Sequence, residues 1–172
     1  VRDNLILNLD AGINMSYPGT GTSWFEISGS GSTATLISAT FSSTNGGAFV
    51  FNGTSSYASL PTENRFDLSS GSATISAWFK TASSGLNCIA SKRNGTGFQF
   101  YVLNAKLYAD GAGTAGASSS QSVNTGNNFY GAVVYDRANS LMRLYVNGAQ
   151  DGSVALASTT LTDTADVNVG RK

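Results

Sequence analysis

Val133-Val134-Tyr135-Asp136-Arg137-Ala138-Asn139-Ser140-Leu141-Met142-Arg143-Leu144-Tyr145-Val146-Asn147-Gly148 reads as a β-hairpin. Two runs rich in β-branched and aromatic residues flank a polar turn. The second run closes on Asn147-Gly148, the strongest two-residue hairpin signal. Alternation sorts that run into two sides, with Met142, Leu144 and Val146 on one and Leu141, Arg143 and Tyr145 on the other. The same period of two is cleanest from Ala73 to Thr81. There Ile75, Ala77 and Phe79 share one face, and Thr74, Ser76, Trp78 and Lys80 share the other.

Working outward, Leu5–Asp10, Thr35–Ile37, Ala48–Phe51, Tyr57–Leu60, Cys88–Ser91, Phe98–Leu103, Lys106–Ala109, Ser153–Leu156 and Val167–Val169 also read as strands. Residues 13–32 form a long loop carrying Tyr17, Trp24 and Phe25. Residues 110–128 form a second loop, with at most one short strand, near Gln121–Val123. Short strands broken by turn signals about every 8–12 residues, without helical periodicity, predict an all-β fold. The expectation is an antiparallel β-sandwich of the jelly-roll type, with Ile75 and Phe79 facing a core between two sheets. No internal repeat or composition break divides the chain, so residues 1–172 read as one domain.

Composition narrows the chemistry. Hydrophobic residues make up 41% of the chain, enough for a core, while charged residues make up only 12%. The surface is covered instead by hydroxyl and amide groups, from 25 Ser, 17 Thr and an abundance of Asn. Ten basic and ten acidic residues cancel, and no basic stripe exists, which argues against nucleic acid as a partner. No apolar run approaches the roughly 20 residues of a membrane span. There is no histidine, and Cys88 is alone, so a Ser–His or Cys–His pair, a His/Cys zinc cluster and an internal disulfide are excluded. Cys88 itself, within Leu86–Ala90, is expected as a small core residue.

Glycoside hydrolysis needs two carboxylates across a sugar bond. Glu26 and Glu63 stand isolated in loops, and Asp163 and Asp166 sit in a Thr-rich turn, so no enzyme is expected. Asn94-Gly95-Thr96-Gly97 lacks the Lys and the following helix of a phosphate-binding loop and reads as a hairpin turn. Sugar binding without catalysis remains, because aromatic faces stack on sugars and neutral amides bond hydroxyls. Trp78 is the leading candidate, placed by alternation among polar residues and open to solvent unless a crossing loop covers it. Tyr145 follows by the same argument. Tyr17 and Trp24, in the long first loop, read first as pins for that loop and second as ligand contacts.

Three segments in order resemble laminin-G-like, concanavalin A-like lectin/glucanase domains. The first is Leu7–Gly12 followed by Ser16-Tyr17-Pro18-Gly19-Thr20-Gly21-Thr22-Ser23-Trp24-Phe25-Glu26-Ile27-Ser28-Gly29, which is similar to versions of the domain in phage virion and fibre proteins. The second is Phe49-Val50-Phe51-Asn52-Gly53-Thr54-Ser55-Ser56-Tyr57-Ala58, with Thr74-Ile75-Ser76-Ala77-Trp78-Phe79-Lys80 beyond it. The third is the Tyr135–Gly148 hairpin. The resemblance implies a non-enzymatic virion surface module: a capsid decoration, head fibre or tail fibre domain. Its partners would be other virion proteins or copies of itself, with weak binding to cell-surface glycans. The alternative is a secreted or cell-surface bacterial carbohydrate-binding or adhesion domain.

Three departures qualify that resemblance. The family's Asp-rich turn is here Asn52-Gly53-Thr54-Ser55-Ser56, without carboxylates, so no cofactor is expected and calcium is disfavoured. The family's Trp-His is here Phe129-Tyr130. The family pattern continues past Val169-Gly170-Arg171 into a further strand, whereas this chain stops at Lys172. A longer parent polypeptide, or a neighbouring chain completing the sheet, is the expectation.

Overall fold

Alternating apolar and polar residues give each strand a side to bury and a side to hydrate, and the chain satisfies them by stacking sheets. The computed structural model describes residues 4–68, 71–111, 114–157 and 161–172. Its strands are β1 (Ser23–Phe25), β2 (Thr33–Ile37), β3 (Thr40–Ser42), β4 (Ala48–Val50), β5 (Tyr57–Leu60), β6 (Ala73–Lys80) and β7 (Asn87–Lys92). They continue as β8 (Phe98–Leu103), β9 (Lys106–Gly111), β10 (Thr114–Ser118), β11 (Asn128–Asp136), β12 (Leu141–Val146), β13 (Ala149–Ala155) and β14 (Val167–Val169). The large sheet runs β1-β2-β5-β14-β7-β8-β9-β10, the smaller β13-β12-β11-β6, and β3 and β4 form a separate hairpin. Paired strands are antiparallel throughout. This is the antiparallel jelly-roll β-sandwich expected of a concanavalin A-like fold.

The Val133–Gly148 hairpin forms as β11–β12, from Asp136↔Leu141 to Gly131↔Val146. The chain then turns tightly, with Asn147 at φ 52° and Gly148 at φ 86°, and returns as β13. Two successive positive φ values define the turn whose twist matches that of antiparallel strands, which is why Asn-Gly occupies it.

Between the sheets lies one core, including Phe98, Phe100 and Val102 of β8, Leu107 and Ala109 of β9, and Val133, Tyr135, Met142, Leu144 and Val146 of β11 and β12. Ile75 and Phe79 pack against it as expected, but they remain half-buried because β6 is the outermost strand of the smaller sheet. A second core lies against the other half of the large sheet, where Tyr17, Trp24, Ala34, Leu36, Ala58, Leu60 and Val167 meet Phe41 and Phe49 of the β3–β4 hairpin. At one margin the backbones of the two sheets come close. There a side chain on Gly152 of β13 would come within 2.3 Å of the Ser118 carbonyl oxygen of β10, so glycine is required.

Several expectations are corrected. Leu5–Asp10 joins no sheet; Leu7 and Leu9 cover the second core, while the Asn8 carbonyl accepts the Ile27 N–H at 2.9 Å. Its alternation is satisfied by packing rather than by a ladder. The long first loop contains β1, β3 is an additional strand, and the strand of the second loop is β10 rather than Gln121–Val123. Val123 is instead plugged into the main core, its N–H bonded to Ala105 O at 2.8 Å. Cys88 is half-buried and belongs to neither core; burial pushes its thiol up to about 11, which keeps it protonated at neutral pH.

Candidate functional site

The smaller sheet has one face turned away from the core. Residues there follow from the pleat: Thr74, Ser76, Trp78 and Lys80 of β6 are all exposed. The β6–β11 register sets Trp78 beside Tyr130, Ser76 beside Ala132 and Lys80 beside Asn128. The β11–β12 register places Tyr145 next to Ala132, and β13 adds Gln150 beside Tyr145. The expected covering loop over Trp78 is absent among the described residues, and its side chain is 72% exposed. Its ring lies 5.4 Å from that of Tyr130, centroid to centroid, at 49°. Tyr130 is held from behind: its N–H donates to Asn147 Oδ1 at 3.0 Å, and its carbonyl accepts the Asn147 N–H at 2.7 Å. The result is an aromatic patch of Trp78, Tyr130 and Tyr145, bordered by amide and hydroxyl groups. Large exposed aromatic groups on an otherwise polar surface mark interaction sites.

Of the residues predicted as ligand contacts, the fold brings Trp78 and Tyr145 onto this one face. It separates Tyr17 and Trp24 from them and holds both in the loop-pinning role that was their first reading, not as exposed contacts. Both are buried, at 6% and 8% exposure. They pack around Phe49, with ring centroids 4.8 and 4.7 Å away, and Tyr17 also meets Phe41 at 5.1 Å. They pin the first loop to the β3–β4 hairpin. Tyr130, which the sequence marks only as part of a departure from the family's Trp-His, joins the site through its register with Trp78; its alternation with Phe129 and Gly131 is the sequence signal that places it on the outer face.

Elsewhere the carboxylates serve the chain itself. Glu26 accepts N–H bonds from Ser28 at 2.7 Å and Gly31 at 2.5 Å, plus the Ser28 hydroxyl. Burial works against its charge, but those donors win and hold the carboxyl at about 2. Glu63 pairs with Arg65, Asp67 with buried Lys92, Asp110 with Arg93, and Asp136 with Arg143. Asp10 caps Gly12 N–H at 2.8 Å, Asp151 accepts Gln121 N–H at 3.1 Å, and Asp166 accepts Thr62 N–H at 3.0 Å. The Asn94–Gly97 turn does grip an anion, but an internal one. Asp163 Oδ2 accepts Asn94 N–H at 2.8 Å and Thr96 N–H at 3.1 Å.

The Asn52–Ser56 turn does not fit calcium. Asn52 Oδ1 already accepts the N–H groups of Thr54, Ser55 and Ser56 at 3.0, 2.9 and 3.0 Å, and the other side-chain oxygens of the turn are hydroxyls. A hard divalent cation requires several oxygens, carboxylates among them, aimed at one point. Here the oxygen is aimed at the backbone.

The fold has solved counterparts. The binding domain of Paraclostridial Mosquitocidal Protein 1 superposes with a TM-score of 0.79 at 11% identity, covering 98% of this chain and 44% of that one. The botulinum neurotoxin serotype C1 binding domain gives 0.77 at 14% identity, covering 98% and 43%. The binding domain of botulinum neurotoxin DC, solved in complex with SialylT, gives 0.75 at 12% identity, covering 99% and 44%. The chain thus spans less than half of each, and identities this low establish the fold alone. No curated protein sequence matches. Residues 51–172 do match the family described as the concanavalin A-like lectin/glucanases superfamily, and the chain belongs to it.

Proposed function

We propose that this chain is a non-enzymatic binding module that displays the outer face of its smaller sheet to cell-surface glycans. One observation carries the reading: Trp78 stands 72% exposed beside Tyr130 on a flat polar face. Exposing so large an apolar ring is unfavourable unless a partner covers it, and the apolar C–H face of a pyranose suits an indole face. Asn128, Asn147, Gln150 and Ser76 supply neutral donors and acceptors for hydroxyls. The occupied state of each described carboxylate supports binding without hydrolysis.

Placement on a virion surface, as a capsid decoration or fibre domain with virion proteins or its own copies as partners, draws on the Ser16–Gly29 resemblance. A secreted or cell-surface bacterial binding domain is the second reading, favoured by the fold shared with toxin binding domains. Mass spectrometry of purified virions against culture supernatant separates the two.

The glycan reading is tested on an array with wild type and Trp78→Ala. Wild type is expected to bind, and loss of the ring to weaken binding at least tenfold while melting shifts by under about 4 °C, since little of the ring is buried. Absence of wild-type binding, or unchanged binding by the variant, would sink it.

A further inference from the structure

We infer that the aromatic face selects acidic sugars, with Lys80 meeting the carboxylate; this deepens, and rests on, the glycan-binding reading. Lys80 leaves β6 on the same side as Trp78, two residues on, about 7 Å along the strand. Among the described residues the ion pairs are Arg65–Glu63, Lys92–Asp67, Arg93–Asp110 and Arg143–Asp136, and none includes Lys80.

Of the other charges on this sheet, Arg143 and Asp136 cancel, while Asp151 keeps its charge and is held by neutral hydrogen-bond donors, Ser120 and Gln121, across the sheet margin. The aromatic end of the face therefore carries one uncompensated positive charge beside its most exposed ring. Around it stand amides rather than carboxylates: Asn128 is the register partner of Lys80, and Asn147 backs Tyr130. A neutral sugar would use the rings and amides and leave the ammonium idle. A uronic or sialic acid uses all three, its ring lying on Trp78 and Tyr130 with its carboxylate toward the ammonium. An exposed charge pair contributes modestly, so selectivity is expected at roughly threefold to fivefold, not at orders of magnitude.

The test is an array of acidic oligosaccharides, sialyllactose and oligogalacturonate among them, each printed beside its own methyl ester. The ester keeps the sugar and removes the charge. Wild type should prefer the acids by roughly threefold to fivefold at low salt. That preference should fade towards 1 M salt, where charges are screened beyond about 3 Å. Lys80→Gln should bring the acid-to-ester ratio to about one, and Lys80→Arg should restore it. Equal wild-type binding to acid and ester, or a preference surviving in Lys80→Gln, overturns the acidic assignment while leaving the glycan reading standing. No wild-type binding to either form overturns both.

Discussion

Replacing Glu26 with glutamine tests whether a buried carboxylate organises the loop that leads into β2. Glu26 is 8% exposed and takes its bonds from the Ser28 and Gly31 amides and the Ser28 hydroxyl. Arg65 steadies the same loop by donating to Ser30 O at 2.8 Å. Burial opposes the charge, yet the Ser28 and Gly31 donors lower the carboxyl from 4.5 to about 2. That interval bounds the contribution near ~3 kcal/mol. Hydrogen bonds to a charged group contribute about 1.5–3 kcal/mol, and glutamine would turn an NH2 towards one of those donors. Glu26→Gln should therefore lower stability by about 2 kcal/mol at pH 7, or roughly 4–8 °C in melting temperature for a chain of this size.

The sign with pH follows from linkage. A carboxyl whose folded pKa lies below its unfolded pKa stabilises fully above the unfolded value and loses that contribution as pH falls through the folded one. Thermal denaturation followed by circular dichroism from pH 7 to about 2 should show the wild-type advantage shrinking below 4.5 and nearly gone at the acid end. An advantage that stays constant across that range would refute the reasoning, because the carboxylate charge would then not be what holds the loop.

Two other outcomes bear on the scaffold. Ala105 sits at φ 66° in the β8–β9 turn, a left-handed conformation that costs any Cβ-bearing residue. Ala105→Gly should stabilise by up to about 1 kcal/mol, seen as a rise of about 2–4 °C in melting temperature. Lys92 is fully buried, its Nζ donating to Asp67 Oδ1 at 2.7 Å and to the Asp163 carbonyl. Lys92→Ala should strand the Asp67 charge and cost about 3–5 kcal/mol by urea unfolding. A loss under about 1 kcal/mol would show that Asp67 rehydrates.

What the amino-acid order determined is local. Period-two alternation from Ala73 to Lys80 and from Leu141 to Val146 named the strands and told their wet side from their dry side, because neighbouring Cβ atoms must point oppositely. Asn147-Gly148 determined its turn for an equally local reason. Only the tertiary structure decided the rest. It inserted β14 between β5 and β7, sent Leu7 and Leu9 to cover a core rather than extend a sheet, and buried Tyr17 and Trp24 under Phe49. It also set Tyr130 against Trp78 and left that pair uncovered. Register between distant strands and burial by distant segments come from contacts far apart in sequence. No short window of residues contains them.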